Sequence, residues 1–191
     1  GHFFTSVNYL DNDGIVRGKK DTYTRLTAQL NADYQLYKWI KVGTNTSIEK
    51  WATRNITHQS AYGSMLAPTL LLDPLTPVYW DSVDDFPTSM KDVYATNPEK
   101  ILIAPNGKYY ATSKFQMDDN GNPLLQRDRR NQKSSGFTVR GTAFVDLTPI
   151  DGLIMTSRFS YRIAQSNSHD YSEPYYMNGQ AKADNYSISA N

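Results

Sequence analysis

The sequence predicts an all-β, antiparallel fold of consecutive hairpins, of the kind that forms a segment of a transmembrane β-barrel, with one long, partly structured extracellular loop. Three observations carry this. Apolar and polar residues alternate without a break over about a dozen positions, where strands of soluble proteins run to about 5 to 6 residues. One face of each such run holds small and aliphatic residues while the other holds Arg, Asp, Gln and Glu. Short turns alternate in order with long connections, as they do in outer-membrane barrels.

The first strand is expected over about residues 2–10. The second, about 23–36, carries the clearest signal: Leu26, Ala28, Leu30, Ala32, Tyr34 and Leu36 alternate with Arg25, Thr27, Gln29, Asn31, Asp33 and Gln35. A turn at Tyr37 to Trp39 leads to the third, about 40–51, with Ile40, Val42, Thr44, Thr46 and Ile48 on one face and Lys41, Asn45, Ser47 and Glu49 on the other. The same grammar returns at about 137–148, where Phe137, Val139, Gly141, Ala143, Val145 and Leu147 alternate with a polar face that only Phe144 breaks. Pro149-Ile150-Asp151-Gly152 is a compact turn whose Gly accepts positive φ, and a strand over about 153–165 comes after it. A last strand is expected at about 186–191. Strands beginning near His2, Ile40 and Leu153 then run outward, and those near Tyr23 and Gly136 inward. The sequence begins and ends inside strand-like stretches, as a segment of a longer wall would.

The connection over about 52–136 far exceeds the roughly 12 to 15 residues at which a structureless loop becomes improbable. A short helix is expected within Ser60 to Leu72 as far as Pro68 permits. Turns at Pro105-Asn106-Gly107 and Asp118-Asp119-Asn120-Gly121 bracket an expected small hairpin through Lys108 to Gln116.

Composition narrows the chemistry. Lys and Arg number 20 against 19 Asp and Glu, a formal net charge of +1, so no polyanion partner and no nucleic acid is implied. Cysteine is absent, which removes disulfides and thiolate metal sites. No apolar run approaches the roughly 20 residues of a membrane helix, and the amino terminus lacks the pattern of a signal peptide. His2, His58 and His169 lie in unrelated contexts without ligand spacing for zinc. Asp11-Asn12-Asp13-Gly14 opens like a calcium loop, but Thr22 stands where the closing Glu belongs. No nucleophile elbow occurs, and adjacent acids such as Asp84-Asp85 diverge on an extended chain. The expectation is therefore no catalytic residue, no cofactor, no metal and no enzyme activity.

Tyr9-Leu10-Asp11-Asn12-Asp13-Gly14-Ile15-Val16, Tyr23-Thr24-Arg25-Leu26, Leu30-Asn31-Ala32-Asp33-Tyr34 and Trp39-Ile40-Lys41-Val42-Gly43 resemble, in order and spacing, the early barrel strands of the SusC/RagA family of TonB-dependent outer-membrane transporters of Bacteroidetes. Ala67-Pro68, Pro77-Val78-Tyr79 and Asn106-Gly107-Lys108-Tyr109-Tyr110 resemble the next segment of that family, with extra sequence from Asp81 to Ile103 between the last two. The resemblance implies a closed barrel of about 22 strands around an N-terminal plug, in the outer membrane of a Gram-negative cell. It also implies energy through TonB by way of the parent's N-terminal part, a SusD-like surface lipoprotein as lid, and import of oligosaccharides or peptides. Membrane lipid would meet the barrel exterior.

The 14 Tyr concentrate in telling places. Tyr79, Trp80, Tyr109, Tyr110, Tyr175 and Tyr176, with Tyr171 nearby, fall in extracellular segments, where aromatic faces stack on sugars or pack against a lid. They are the candidate ligand or partner contacts, against the plainer reading that they fill the loops' own cores. Tyr34, Trp39 and Tyr161 are expected in aromatic girdles. The rival from another class is a soluble β-sandwich that binds carbohydrate, which would have shorter strands around an inter-sheet core.

Overall fold

The computed structural model describes residues 1–56, 65–115 and 121–177 in full, and the backbone of residues 182–183 and 187–190. The chain divides into two compact units, residues 1–54 with 133–168, and residues 55–132 with 169–190.

Five long strands build the first unit: β1 (His2–Asp13), β2 (Thr22–Tyr37), β3 (Ile40–Asn55), β6 (Arg130–Ile150) and β7 (Leu153–Ser172). With the short β10 (Ser187–Ala190) they form one six-stranded sheet in the order β1-β2-β3-β6-β7-β10. Strand neighbours therefore follow chain order even across the long connection. β1 pairs antiparallel with β2 from His2 opposite Asp33 to Asp13 opposite Thr22. β2 pairs antiparallel with β3 from Thr22 opposite Arg54 to Tyr37 opposite Ile40. The register slips between Gln35 and Tyr37, where Gln35 Nε2 donates to the carbonyls of Tyr37 at 2.7 Å and Ile40 at 3.2 Å and so closes the turn.

A main-chain hydrogen bond and side-chain contacts fix the other two pairings. Thr148 N donates to Trp39 O, while the Phe144 ring covers Gly43 and the Trp51 indole covers Gly136. As numbering rises in β3 it falls by equal steps in β6, which is antiparallel pairing. Ser134 with Ser168, Thr142 with Ser160 and Asp146 with Thr156 do the same for β6 and β7. Gly152 closes that hairpin at φ +86°, the positive φ expected of it.

The lone aromatic on the polar face of β6 now has its reason. A Cβ at Gly43 would overlap the Phe144 ring, so the glycine leaves the space the ring occupies. An aromatic shielding a strand glycine on the next strand restores the packing that glycine forgoes. Tyr161 does the same over Gly141 on the opposite face.

The apolar face is open to solvent in the single chain. Leu26 is 45% exposed, Leu30 42%, Ile48 42%, Phe137 43% and Ile163 62%. The sandwich rival needs such residues inside an inter-sheet core, and its short strands are absent among these five, which run from 12 to 21 residues.

The second unit folds around β4 (Tyr79–Trp80) and β5 (Tyr109–Tyr110), a two-stranded antiparallel ribbon with Tyr79 opposite Tyr110 and Trp80 opposite Tyr109. The pleat sends the two pairs to opposite faces. On one side lies a core of Ala104, Tyr110, Leu125, Tyr175 and Met177, with Tyr79 packed against it. On the other lie Trp80, Phe86, Met90, Ile101 and Ala111, with Tyr109 packed against them. Helices α2 (Thr88–Thr96) and α3 (Pro123–Arg129) supply Met90 and Leu125 to these cores, and α1 (Leu66–Leu71) packs on α3. A second ribbon joins β8 (Tyr175–Tyr176) to β9 (Lys182–Ala183).

Several loop expectations are corrected here. The strand at Tyr109 pairs back with Tyr79-Trp80 rather than forward within Lys108 to Gln116, because Asn106-Gly107 turns it there and the ribbon then buries a ring on each side. The turn over Asp118 to Asn120 lies outside the described residues. The helix near Pro68 runs on to Leu71, since Pro68 sits in its first turn, where no intrahelical donor is needed. The start of that predicted helix, and His58, lie outside the described residues.

Candidate functional site

Two regions gather side chains with binding chemistry, one in each unit. In the second unit the structure brings five of the six predicted aromatics around the ribbon. The Tyr79 and Tyr110 rings lie 5.8 Å apart, and Phe86 meets Tyr109 edge-on at 5.0 Å. Trp80, Tyr110 and Tyr175 are buried, whereas Tyr79, Tyr109 and Tyr176 remain partly exposed.

The buried tyrosines are tied down by polar partners as well. Tyr110 OH donates to Asp128 at 2.8 Å, and burial, reinforced by that carboxylate, pushes the phenol well above its ordinary range. Asp128 in turn accepts from Arg127 Nε at 2.7 Å. Gln126 Nε2 donates to Tyr175 OH at 2.9 Å, and Arg129 lies over the Tyr175 ring at 4.6 Å. Burial lowers the Arg129 guanidinium from its ordinary value, partly offset by Tyr175.

Cations also cover Trp80, by Lys114 Nζ at 4.5 Å, and Tyr176, by Lys100 Nζ at 4.6 Å. One face of each ring is thus occupied within the protein. Trp80 Nε1 is buried and finds no acceptor among the described residues. Tyr171 is the penultimate residue of β7, paired with Ile188 of β10.

In the first unit the polar face of the sheet holds an open pocket of about 630 Å³. Its floor is made by Gln29 and Asn31 of β2, Asn45, Thr46 and Ser47 of β3, Arg140, Gly141 and Thr142 of β6, and Ser160, Tyr161 and Arg162 of β7. The period-two pattern puts Gln29, Asn31, Asn45, Ser47, Arg140, Thr142, Ser160 and Arg162 on that face, lined up by the register across four strands, while Thr46, Gly141 and Tyr161 lie between them in sequence and turn to the apolar face. Thr142 and Ser160 join at 2.9 Å, which sets Arg140 beside Arg162 on neighbouring strands. Such a floor offers amide and hydroxyl donors and acceptors together with two guanidinium forks.

The pattern of polar residues was legible in sequence, but the pocket was not. Its four strands come from both sides of the long connection, and only the pairing of β3 with β6 brings Asn45 and Ser47 to Arg140.

Among the described residues no group of three His, Asp or Glu could hold a metal ion. His2 lies 3.3 Å from Asp33, and Gly14 N donates to Asp21 O at 2.7 Å, closing the loop after Asp11-Asn12-Asp13 as a turn. No helix among the described residues is long and apolar enough to cross a membrane.

No family model matches the sequence, and no curated protein matches it. Among solved structures the chain is similar to the RagAB peptide importer. In its closed-closed state the likeness covers 94% of this chain and 18% of that one, with a TM-score of 0.54 at 15% identity. In the open-open state it covers the same shares, with a TM-score of 0.55 at 18% identity. At these identities the likeness is one of fold. The chain spans less than a fifth of the length of the importer chain it matches. Its fold is all-β and antiparallel, and it resembles part of a transporter.

Proposed function

We propose that this chain forms part of the wall and outer loops of a SusC-type, TonB-dependent importer in the outer membrane of a Gram-negative cell. The observation that carries the reading is the six-stranded sheet itself. It is antiparallel in strands of up to 21 residues, with an exposed apolar face and a polar face opposite. A face of Leu, Ile, Phe and Val left open by the fold is what lipid covers, and a polar face is what a water-filled lumen accepts. The sequence resemblance to the SusC/RagA family and the fold likeness to a peptide importer support the same reading.

On this reading the importer of which the chain is a part passes a nutrient, an oligosaccharide or a peptide, and the chain catalyses nothing. TonB acts through the parent's N-terminal part, and a SusD-like lipoprotein meets the second unit from outside. The partly exposed Tyr79, Tyr109 and Tyr176 supply contact edges there, with Trp80, Tyr110 and Tyr175 holding them in place from the cores. Tyr34, Trp39 and Tyr161, which are exposed on the sheet, serve the bilayer boundaries.

The test is the state of the intact protein in cells. It is expected in the outer-membrane fraction, resistant to carbonate extraction, and faster in electrophoresis before boiling than after. Recovery in the soluble fraction with one mobility would sink the proposal.

A further inference from the structure

We propose that Arg140 and Arg162 form a receptor for the carboxylate of a polar ligand lying on the polar face of the sheet. The proposal deepens the importer reading and rests on it, since a barrel turns that face to its lumen.

Register places the pair. Thr142 joins Ser160 at 2.9 Å, and the ring of Tyr161 covers Gly141, so residues that step in opposite directions along β6 and β7 face one another. Arg140 is then set against Arg162. Like charges directly opposite on adjacent strands destabilise a sheet unless an anion lies between them. Of the acids elsewhere on this face, Glu49 of β3 forms no ion pair with either arginine among the described residues, and the others are engaged. Asp33 lies 3.6 Å from Lys41 as well as close to His2, and Asp146 accepts from Thr156 at 2.7 Å.

The pocket that both arginines line contains no carboxylate among the described residues. Neither guanidinium forms an ion pair or a side-chain hydrogen bond among the described residues. Two planar forks of donors with no internal acceptor match a carboxylate brought from outside. Around them Gln29, Asn45, Ser47 and Thr142 both donate and accept, which suits a ligand rich in amides or hydroxyls. A volume of about 630 Å³ lies within the range of small-ligand sites, roughly 300 to 1,000 Å³.

The experiment uses the intact protein that carries this chain, in detergent micelles, and two pairs of probes. They are N-acetyl-trialanine with its C-terminal amide, and trigalacturonate with its methyl ester. By isothermal titration the acid of at least one pair is expected to bind about tenfold more tightly than its neutral twin, and less so as salt is raised. R140Q/R162Q is expected to erase that advantage. Ser47→Asp, which places a carboxylate of the protein's own in the same pocket, is expected to erase it too, and serves where the double variant does not fold.

Equal affinity for acid and neutral twins in both pairs overturns the proposal, as does an acid advantage that survives in R140Q/R162Q or Ser47→Asp. Indifference to every probe, with a melting temperature that falls in the double variant, assigns the pair to an acidic side chain elsewhere in the protein and overturns it as well. Binding is read on purified protein, so these outcomes bear on the arginine pair alone. The importer reading stands or falls on the fractionation and mobility test.

Discussion

The Asn122 side chain accepts from the backbone N–H groups of Leu124 and Leu125 while its amide donates to the carbonyls of Val78 and Ala111. It caps α3 and also satisfies two carbonyls of the packed loop. Asn122→Ala is expected to destabilise the second unit by about 2–4 kcal/mol, since a lost cap and an unsatisfied Ala111 carbonyl add, while the Val78 carbonyl keeps the Ala111 N–H. Asn122→Asp keeps the cap acceptor but sets a buried carboxylate oxygen against the Val78 and Ala111 carbonyls, so it is expected to cost at least as much, as denaturant titration will show.

Asp73 offers a pH test. Hydrogen bonds from Ser113 Oγ and Thr76 Oγ1 hold its carboxyl below the usual carboxylate range. A lowered folded-state pKa stabilises the fold above the unfolded value of about 3.9 and loses that contribution as pH falls through the folded one. The melting-temperature gap between wild type and Ser113→Ala should be widest near neutral pH and narrow below about pH 4. Neither residue stood out in the sequence. Asn122 was hidden inside an Asp-Asn-Gly-Asn-Pro run that reads as a turn, although Asn followed by Pro is equally the start of a helix.

The long strands were the legible elements, because each has an apolar and a polar face and alternation records that difference residue by residue. All five extend beyond their sequence limits by one to several residues, most of all β6, which starts at Arg130 where the fading pattern suggested about 137. Helix α2, of nine residues, and α3, of seven, are too short for periodicity to register. The two-residue strands β4 and β5 leave only the dipeptides Tyr-Trp and Tyr-Tyr as a trace.

The two faces of β2 can be separated by charge insertion. Leu30→Arg on the apolar face is expected to cost about 2–4 kcal/mol of folding free energy in liposomes, and Thr27→Arg on the polar face about 1 kcal/mol or less. Equal costs measured by urea titration would contradict a lipid-facing assignment of Leu30.

For the whole molecule, the order of strands was readable only as hairpins, and the step that unites them is the pairing of β3 with β6 across residues 56–129. No local pattern announces that step. It follows from the physical need of each long strand for a neighbour on both edges. Once it is made, the polar faces of both hairpins become one floor, and the pocket appears with it.

The same step has a developmental side. Residues 56–129 leave from the end of one strand and return at the start of its immediate neighbour; they hold one buried core themselves and complete the other with Tyr175 and Met177. A stretch that departs and rejoins at one doorway is a cassette. Grafting it between chains of this architecture is expected to keep every ladder of the six-stranded sheet, provided Tyr175 and Met177 are matched to the new core. The segment is thereby free to diversify faster than the sheet that carries it.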